Sequence, residues 1–141
     1  MITRQLATDL YGNATDRLGN PIIEHAFRVA AIVNDSGAPE HVVDAALLHD
    51  LLEDTDVTAD DLLRIGIAPQ TVDLVVALTR RPNEIYADYV TRVAANAESR
   101  LIKLADNTDN YLRLHQLPIQ DGASLRRRYN RARDILLQSH R

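Results

Sequence analysis

Apolar residues recur with the period of an α-helix through most of this 141-residue chain. Two stripes near the N-terminus are Ile22, Val29, Ile32 and Val33, and then Val42, Ala45 and Ala46, the second within a segment 42–52 that is apolar on several sides. The same period predicts further helices at about 58–65, 69–79, 84–96, 98–114 and 123–138. No alternation of apolar and polar residues is long enough to indicate a β-sheet. The pattern therefore predicts an all-α fold.

Residues that start and stop helices agree with this pattern. Proline suits the first turn of a helix, and three predicted helices begin near Pro21, Pro39 and Pro69. Thr58 followed by Asp61 has the spacing of a capping box. Connections between helices are marked by Gly37, Gly66 and the stretch Pro118–Gly122. Because no repeat or linker divides the chain, we predict a single helical bundle domain over residues 1–141.

Composition narrows the chemistry that the chain can carry out. Apolar residues make up 45% and charged residues 26%, as in globular proteins, and no apolar run approaches the ~20 residues of a membrane span. There is no cysteine, so any metal must take nitrogen and oxygen ligands. A net charge of −4 and only 4% aromatic residues argue against nucleic-acid binding, and the arginines at 126–133 are interpreted as a solvated basic face. We expect a cytoplasmic protein with neither a nucleic acid nor a membrane as partner.

The pair His49-Asp50 interrupts the most apolar segment of the chain. His49 continues the stripe of Val42, Ala45 and Ala46, and a helix that is apolar nearly all round is expected to be buried. An ionised carboxylate is costly to bury without a partner, and a metal ion is one partner strong enough to offset that cost. Taken alone, the pair also fits a structural hydrogen bond to a neighbouring helix.

Two more polar residues lie on predicted apolar faces. His25 falls on the stripe of Ile22 and Val29, and Asp106 lies one turn beyond Ile102. Singly, each fits a satisfied core histidine, a helix cap or a salt-bridge partner. Together with His49 and Asp50 they offer two imidazoles and two carboxylates, and one metal ion accounts for all four. Such ligands suit Mn²⁺ or Fe²⁺, and Zn²⁺ also accepts them.

Three segments resemble the HD-domain phosphohydrolases, and among them the hydrolase domains of RelA/SpoT-homologue alarmone enzymes, small stand-alone members included. Residues 19–25 are similar to the family's Gly-x-Pro-Tyr-Ile-x-His-Pro, residues 46–55 include its Leu-His-Asp-x-x-Glu-Asp-Thr, and residues 102–110 include its Lys-Leu-Ala-Asp-x-x-x-Asn. The resemblance implies an all-helical fold and hydrolysis of the 3′-pyrophosphate of (p)ppGpp, usually with manganese. It covers most of the chain, which is too short to include an alarmone synthetase domain.

The resemblance also assigns roles to residues. It implies that His25, His49, Asp50 and Asp106 hold the metal, that Glu53 and Asp54 act on the water and phosphate, and that Asn110 lies at the substrate. If one helix continued past His49, Glu53 and Asp54 would lie one turn beyond His49 and Asp50, and either acid could serve as general acid or base. No histidine occurs between His49 and His115, which favours one metal ion over two.

Departures from the family pattern concern the substrate. The family's tyrosine and proline around the first ligand are Ile22 and Ala26 here. Arg17 and Arg113 are predicted phosphate contacts, with a solvated loop arginine as the alternative for Arg17, whereas Lys103 is interpreted as part of a surface ion pair. Alternatives to (p)ppGpp hydrolysis are hydrolysis of another nucleotide or phosphate ester, and a non-catalytic module that senses a nucleotide. The sequence does not indicate an oligomeric state.

Overall fold

The computed structural model describes residues 1–16, 18–116 and 119–138, with the backbone alone for 119–121. These residues are 72% helical and contain no β-strand, which confirms the predicted all-α fold. In chain order the helices are α1 (Arg4–Tyr11), α2 (Ile22–Asp35), α3 (Glu40–Leu48), α4 (Leu51–Asp54), α5 (Ala59–Arg64), α6 (Pro69–Ala77), α7 (Tyr86–Ala94), α8 (Ala97–Leu112) and α9 (Ile119–Gln138), with a 3₁₀ turn at Leu114–Gln116. No described helix is long and apolar enough to cross a membrane.

The chain divides into two compact units, Met1–Arg80 and Arg81–Arg141. The single domain expected over 1–141 stays a prediction. In the first unit α3 packs against both α2 and α6. The shared core includes Val29 and Val33 of α2, Val42 of α3 and Val75 of α6, all almost inaccessible to solvent. Burying a valine contributes about 1.5–3 kcal/mol, so this core fixes α2 beside α3.

Helix starts in the first unit follow the sequence signals. Pro21 and Pro39 directly precede α2 and α3, and Pro69 is the first residue of α6. The capping box is present: the Asp61 N–H donates to Thr58 Oγ1 at 3.1 Å, and the Thr58 N–H donates to Asp61 Oδ2 at 3.0 Å. Both reciprocal bonds satisfy N–H groups that a helix leaves without partners at its start.

The helix that carries Val42, Ala45 and Ala46 does not continue past His49, because α3 ends at Leu48 and α4 begins at Leu51. Two side chains explain the break. The His49 ring Nδ1–H donates to the Ala46 carbonyl at 2.6 Å, and the Tyr11 hydroxyl donates to the Leu47 carbonyl at 2.6 Å. In a continuing helix those carbonyls would accept from residues 50 and 51. Because side chains donate to both carbonyls, the chain can turn at His49-Asp50 without leaving either carbonyl without a hydrogen bond.

The second unit is built from α7, α8 and α9, which pack against one another. Val93 of α7, Ile102 of α8, and Ala132 and Leu136 of α9 are buried. A polar link joins the last two helices, since Asn107 Nδ2 donates to the Tyr129 carbonyl at 3.0 Å. This packing fixes the face of α8 that carries Asp106.

Two local predictions need correction. Helix α1 was not predicted, although Thr3 caps it by accepting the Leu6 N–H at 3.1 Å. Its apolar residues are too few to stand out, and only Ala7 and Tyr11 are buried. Gly122 was assigned to a connection but lies inside α9, which starts at Ile119 rather than near residue 123. One glycine costs only about 1 kcal/mol in a helix, and the 20-residue helix accommodates it. Leu117 and Pro118 lie outside the described residues.

Candidate metal centre

Helix α2 places His25 inside the first unit. Only 7% of His25 is exposed, and Ala26 and Val29 on the same helix are completely buried. The burial predicted from the apolar stripe is confirmed. His25 therefore presents its imidazole within the protein rather than to bulk water.

His49 lies at the end of α3 with one ring nitrogen already engaged. Its Nδ1–H donates to the Ala46 carbonyl at 2.6 Å, and the residue is 3% exposed. Because Nδ1 carries the proton of this bond, Nε2 is the ring nitrogen that could bind a metal ion. The bond that ends α3 thus also orients the ring.

Asp50 brings a carboxylate to both imidazoles. Its Oδ2 lies 3.2 Å from His49 Nε2 and 3.7 Å from His25 Nε2, and the two rings meet edge to face with centroids 5.2 Å apart. The ligand atoms of His25, His49 and Asp50 lie within 4.8 Å of one another. Two imidazole nitrogens and a carboxylate oxygen converging at this spacing fit a divalent cation.

Tyr11 supports this site and was missed by the sequence reasoning. The residue is 2% exposed, and its hydroxyl donates to the Leu47 carbonyl two residues before His49. Nothing in the sequence around Tyr11 indicates this contact, because helix α1 itself was not predicted. Its partner is defined only when α1 packs beside the end of α3.

Glu53 and Asp54 both belong to α4, close to Asp50 in sequence. The Asp54 N–H donates to the Asp50 carbonyl at 3.0 Å, so Asp54 lies one turn beyond Asp50 despite the break. Glu53 Oε1 accepts the backbone N–H of Arg80 at 2.6 Å, a contact that the sequence did not suggest. Partial burial first, and then the charges of Asp50 and Glu53, raise the pKa of Asp54 to about 6.

Asp106 lies in the second unit, on the buried face of α8, and is 4% exposed. Each carboxylate oxygen accepts a hydrogen bond: Oδ2 from Lys103 Nζ at 2.7 Å and Oδ1 from Asn110 Nδ2 at 3.0 Å. The ion pair predicted for Lys103 is present, but its surface position is wrong, because the Lys103 side chain is only 12% exposed. Residues three apart are neighbours on a helix, and the flexible lysine stem closes the gap.

The two arginines predicted at the substrate have different outcomes. Arg113 directly follows α8, and its Nη1 lies 4.0 Å from Oδ2 of Asp109, which is 6% exposed. Arg17 lies outside the described residues. The structure thus brings His25, His49 and Asp50 together in one unit, and Asp106 and Asn110 together in the other. The full set of four ligands, the catalytic pair and the substrate contacts stay predictions.

Comparison with known proteins identifies the family. The family model described as an HD domain matches residues 3–130, so the chain belongs to the HD-domain family. The match takes in both units, and the family predicted from the three motifs is confirmed.

Two curated relatives are similar to this chain over most of its length. The chain is 36% identical over 112 residues, 71% of its length, to a probable chloroplastic GTP diphosphokinase of Arabidopsis thaliana. It is 26% identical over 133 residues, 91% of its length, to a probable guanosine-3′,5′-bis(diphosphate) 3′-pyrophosphohydrolase of Synechocystis. These alignments cover 16% and 17% of the two relatives, so the chain spans about a sixth of their length.

A solved structure shares the fold over nearly the whole chain. It is described as a metazoan ortholog of SpoT that hydrolyzes ppGpp and plays a role in starvation responses. The TM-score is 0.78 at 25% identity, and the match covers 94% of this chain and 82% of the other. The helical fold inferred from the apolar period is therefore shared with a solved structure.

Proposed function

We propose that this chain is a metal-dependent phosphohydrolase that removes the 3′-pyrophosphate of (p)ppGpp. The observation that carries the proposal is the convergence of His25, His49 and Asp50 in a chain of the HD-domain family. The substrate is supported by the Synechocystis relative, a probable guanosine-3′,5′-bis(diphosphate) 3′-pyrophosphohydrolase, and by the metazoan SpoT ortholog, which hydrolyzes ppGpp. We also propose that the chain acts in the cytoplasm, as its composition predicts.

The proposed ligands are His25, His49, Asp50 and Asp106, which would hold one divalent ion. Asp106 is supported by its burial and by the two donors that hold its carboxylate in one orientation. Mn²⁺ is the proposed ion because the donors are nitrogen and oxygen without sulfur. When bound, the ion supplies the positive charge that activates water and neutralises a phosphoryl oxygen.

Glu53 and Asp54 are the proposed acid–base pair. Both carboxylates lie on the short helix that follows Asp50, and Asp54 is one turn beyond it. One of them would take the proton from the attacking water, and the other would give a proton to the departing oxygen. Asn110, Arg113 and Arg17 are the proposed contacts to the nucleotide. Asn110 would also orient Asp106, because its amide already donates to that carboxylate.

A second candidate keeps the chemistry and changes the substrate to another nucleotide or phosphate ester. It is favoured by Ile22 and Ala26, which replace the family's tyrosine and proline beside the first ligand. Both residues are buried, at 8% and 0% exposure, and therefore change the packing next to His25.

The test is hydrolysis of ppGpp by the purified chain after metal removal and addition of Mn²⁺. We expect GDP and pyrophosphate in equal amounts, with no turnover in EDTA. His49→Ala should abolish turnover, whereas His115→Ala, which changes an exposed histidine, should not. Turnover of other phosphate esters with ppGpp left intact would favour the second candidate. Mn²⁺ and ppGpp binding without any hydrolysis would indicate a sensor instead.

A further inference from the structure

Lys103 is the only lysine among the 16 lysine and arginine residues of the chain. Its side chain is 12% exposed and it directly contacts Asp106, one of the proposed metal ligands. Arginine and lysine differ in more than size, since a guanidinium presents a planar fork of donors and an ammonium is a compact point charge. The other fifteen of these positions are all arginine, so the one ammonium side chain of the sequence lies at a buried contact with a carboxylate.

The surroundings of Lys103 hold the ammonium charged and in place. Nζ lies 2.7 Å from Asp106 Oδ2 and 5.0 Å from the centre of the Tyr89 ring. Burial acts to lower the pKa of Lys103, but Asp106, Tyr89 and Tyr86 together outweigh it and raise the pKa well above its ordinary value. The aromatic face and the carboxylate therefore fix the direction from which the ammonium approaches Asp106.

The way in which Asp106 is held explains the use of lysine. Oδ2 accepts from Lys103, and Oδ1 accepts separately from Asn110. Each carboxylate oxygen has two lone pairs, so one single-point donor on each oxygen is compatible with a metal ion on the same carboxylate. A guanidinium would tend to bind both oxygens at once and displace Asn110. The ammonium of Lys103 instead restrains Asp106 through one oxygen, Oδ2.

We infer that Lys103 is a positioning residue, which with Asn110 holds the Asp106 carboxylate in the orientation in which it binds the metal ion. The inference rests on the proposed function in one respect, the assignment of Asp106 as a ligand. Donors that orient a metal ligand change metal affinity by about 10–100-fold when removed. Lys103 is thus predicted to act on metal affinity, without contacting the ion.

The experiment measures Mn²⁺ affinity from the electron paramagnetic resonance signal of free Mn²⁺. Lys103→Met should weaken binding by about 10–100-fold. Lys103→Arg keeps the charge, which safeguards folding, and should also bind more weakly because the fork takes both oxygens. Arg127→Met removes one exposed charge from the same unit and should bind as the wild type does.

The absence of cysteine allows a chemical rescue at the same position. Lys103→Cys, alkylated in denaturant with 2-bromoethylamine and refolded, regains an ammonium at nearly the length of lysine. Alkylation with iodoacetamide gives a neutral side chain of similar size. We expect the aminoethyl form to approach wild-type affinity and the neutral form to match Lys103→Met. Circular dichroism of every form checks that the helices are retained.

Equal or tighter Mn²⁺ binding by Lys103→Met would overturn the inference, because it would make the ammonium a competitor of the ion. Wild-type affinity in folded Lys103→Arg would overturn it as well. A wild-type chain that binds Mn²⁺ but leaves ppGpp intact contradicts the proposed substrate and leaves the role of Lys103 to be decided by the variants. A wild-type chain that binds no divalent ion contradicts both.

Discussion

Glu53 has two candidate roles that substitution can separate. It is a proposed acid–base residue, and its Oε1 also accepts the Arg80 N–H at 2.6 Å, where the first unit ends. Glutamine retains a carbonyl oxygen for that bond but neither carries a charge nor accepts a proton at neutral pH. Alanine loses both functions. Glu53→Gln therefore tests the acid–base role of Glu53. The further effect of Glu53→Ala tests its role as an anchor, meaning its hydrogen bond to the Arg80 N–H.

The expected changes in stability follow from the hydrogen bond between Glu53 and Arg80, and the expected change in kcat follows from the acid–base role. A hydrogen bond contributes about 0.5–1.5 kcal/mol net, and because Glu53 is exposed we expect Glu53→Ala to lower the free energy of unfolding by about 1 kcal/mol. Glu53→Gln should lower it by less than about 0.5 kcal/mol. General acid–base catalysis is worth about 10²–10⁴-fold, so both variants should lose that factor in kcat for ppGpp hydrolysis.

The assays are urea unfolding followed by circular dichroism and steady-state hydrolysis with saturating Mn²⁺. Asp73→Asn removes an exposed carboxylate from the same unit and should alter neither result. Glu53→Gln with at least a tenth of wild-type kcat, beside a destabilised Glu53→Ala, would refute the catalytic role and leave Glu53 as an anchor. Two equally stable variants would refute the anchor.

Three further predictions concern the surroundings of the site. Tyr11→Phe removes the donor to the Leu47 carbonyl and should lower the free energy of unfolding by about 1–2 kcal/mol. Tyr111→Phe changes an exposed ring and should alter that free energy by less than about 0.5 kcal/mol. Equal effects of the two variants in urea unfolding would contradict the hydrogen bond of Tyr11. The pKa of Asp54 is raised from 3.8 to about 6, so the folded protein in EDTA should hold this proton more tightly than the unfolded chain does. Its free energy of unfolding should therefore fall as pH rises from 5 to 7, by about 1 kcal/mol after solvent screening. Urea unfolding at pH 5 and pH 7 should show this difference, and Asp54→Asn should abolish it. Reductive methylation of the native protein should modify the Met1 amine and spare Lys103 until urea is added, and mass spectrometry showing rapid double labelling would contradict the burial of Lys103.

The helices were predictable because most of them bury a periodic apolar stripe, and local signals such as the Thr58–Asp61 box fixed where they begin. The break at His49-Asp50 was not predictable in the same way. Its causes are a ring nitrogen that bonds three residues back and a tyrosine hydroxyl from α1. Period and propensity describe the backbone of one helix, whereas this break depends on a side chain brought in from another.

The metal-ligand candidates were predictable for a related reason: burial makes polar residues conspicuous. His25, His49 and Asp106 interrupt apolar stripes, and all three are buried. Lys103 was misjudged because its position on the helical wheel predicts where its Cα lies, while four side-chain carbons determine where its ammonium lies. Glu53 was judged by its motif alone, and its bond to Arg80 joins residues 27 positions apart. Sequence patterns thus identify the groups that bear the chemistry, but the donors that hold those groups depend on tertiary packing, and for that reason the variants of Lys103 and Glu53 are the sharpest tests of the site.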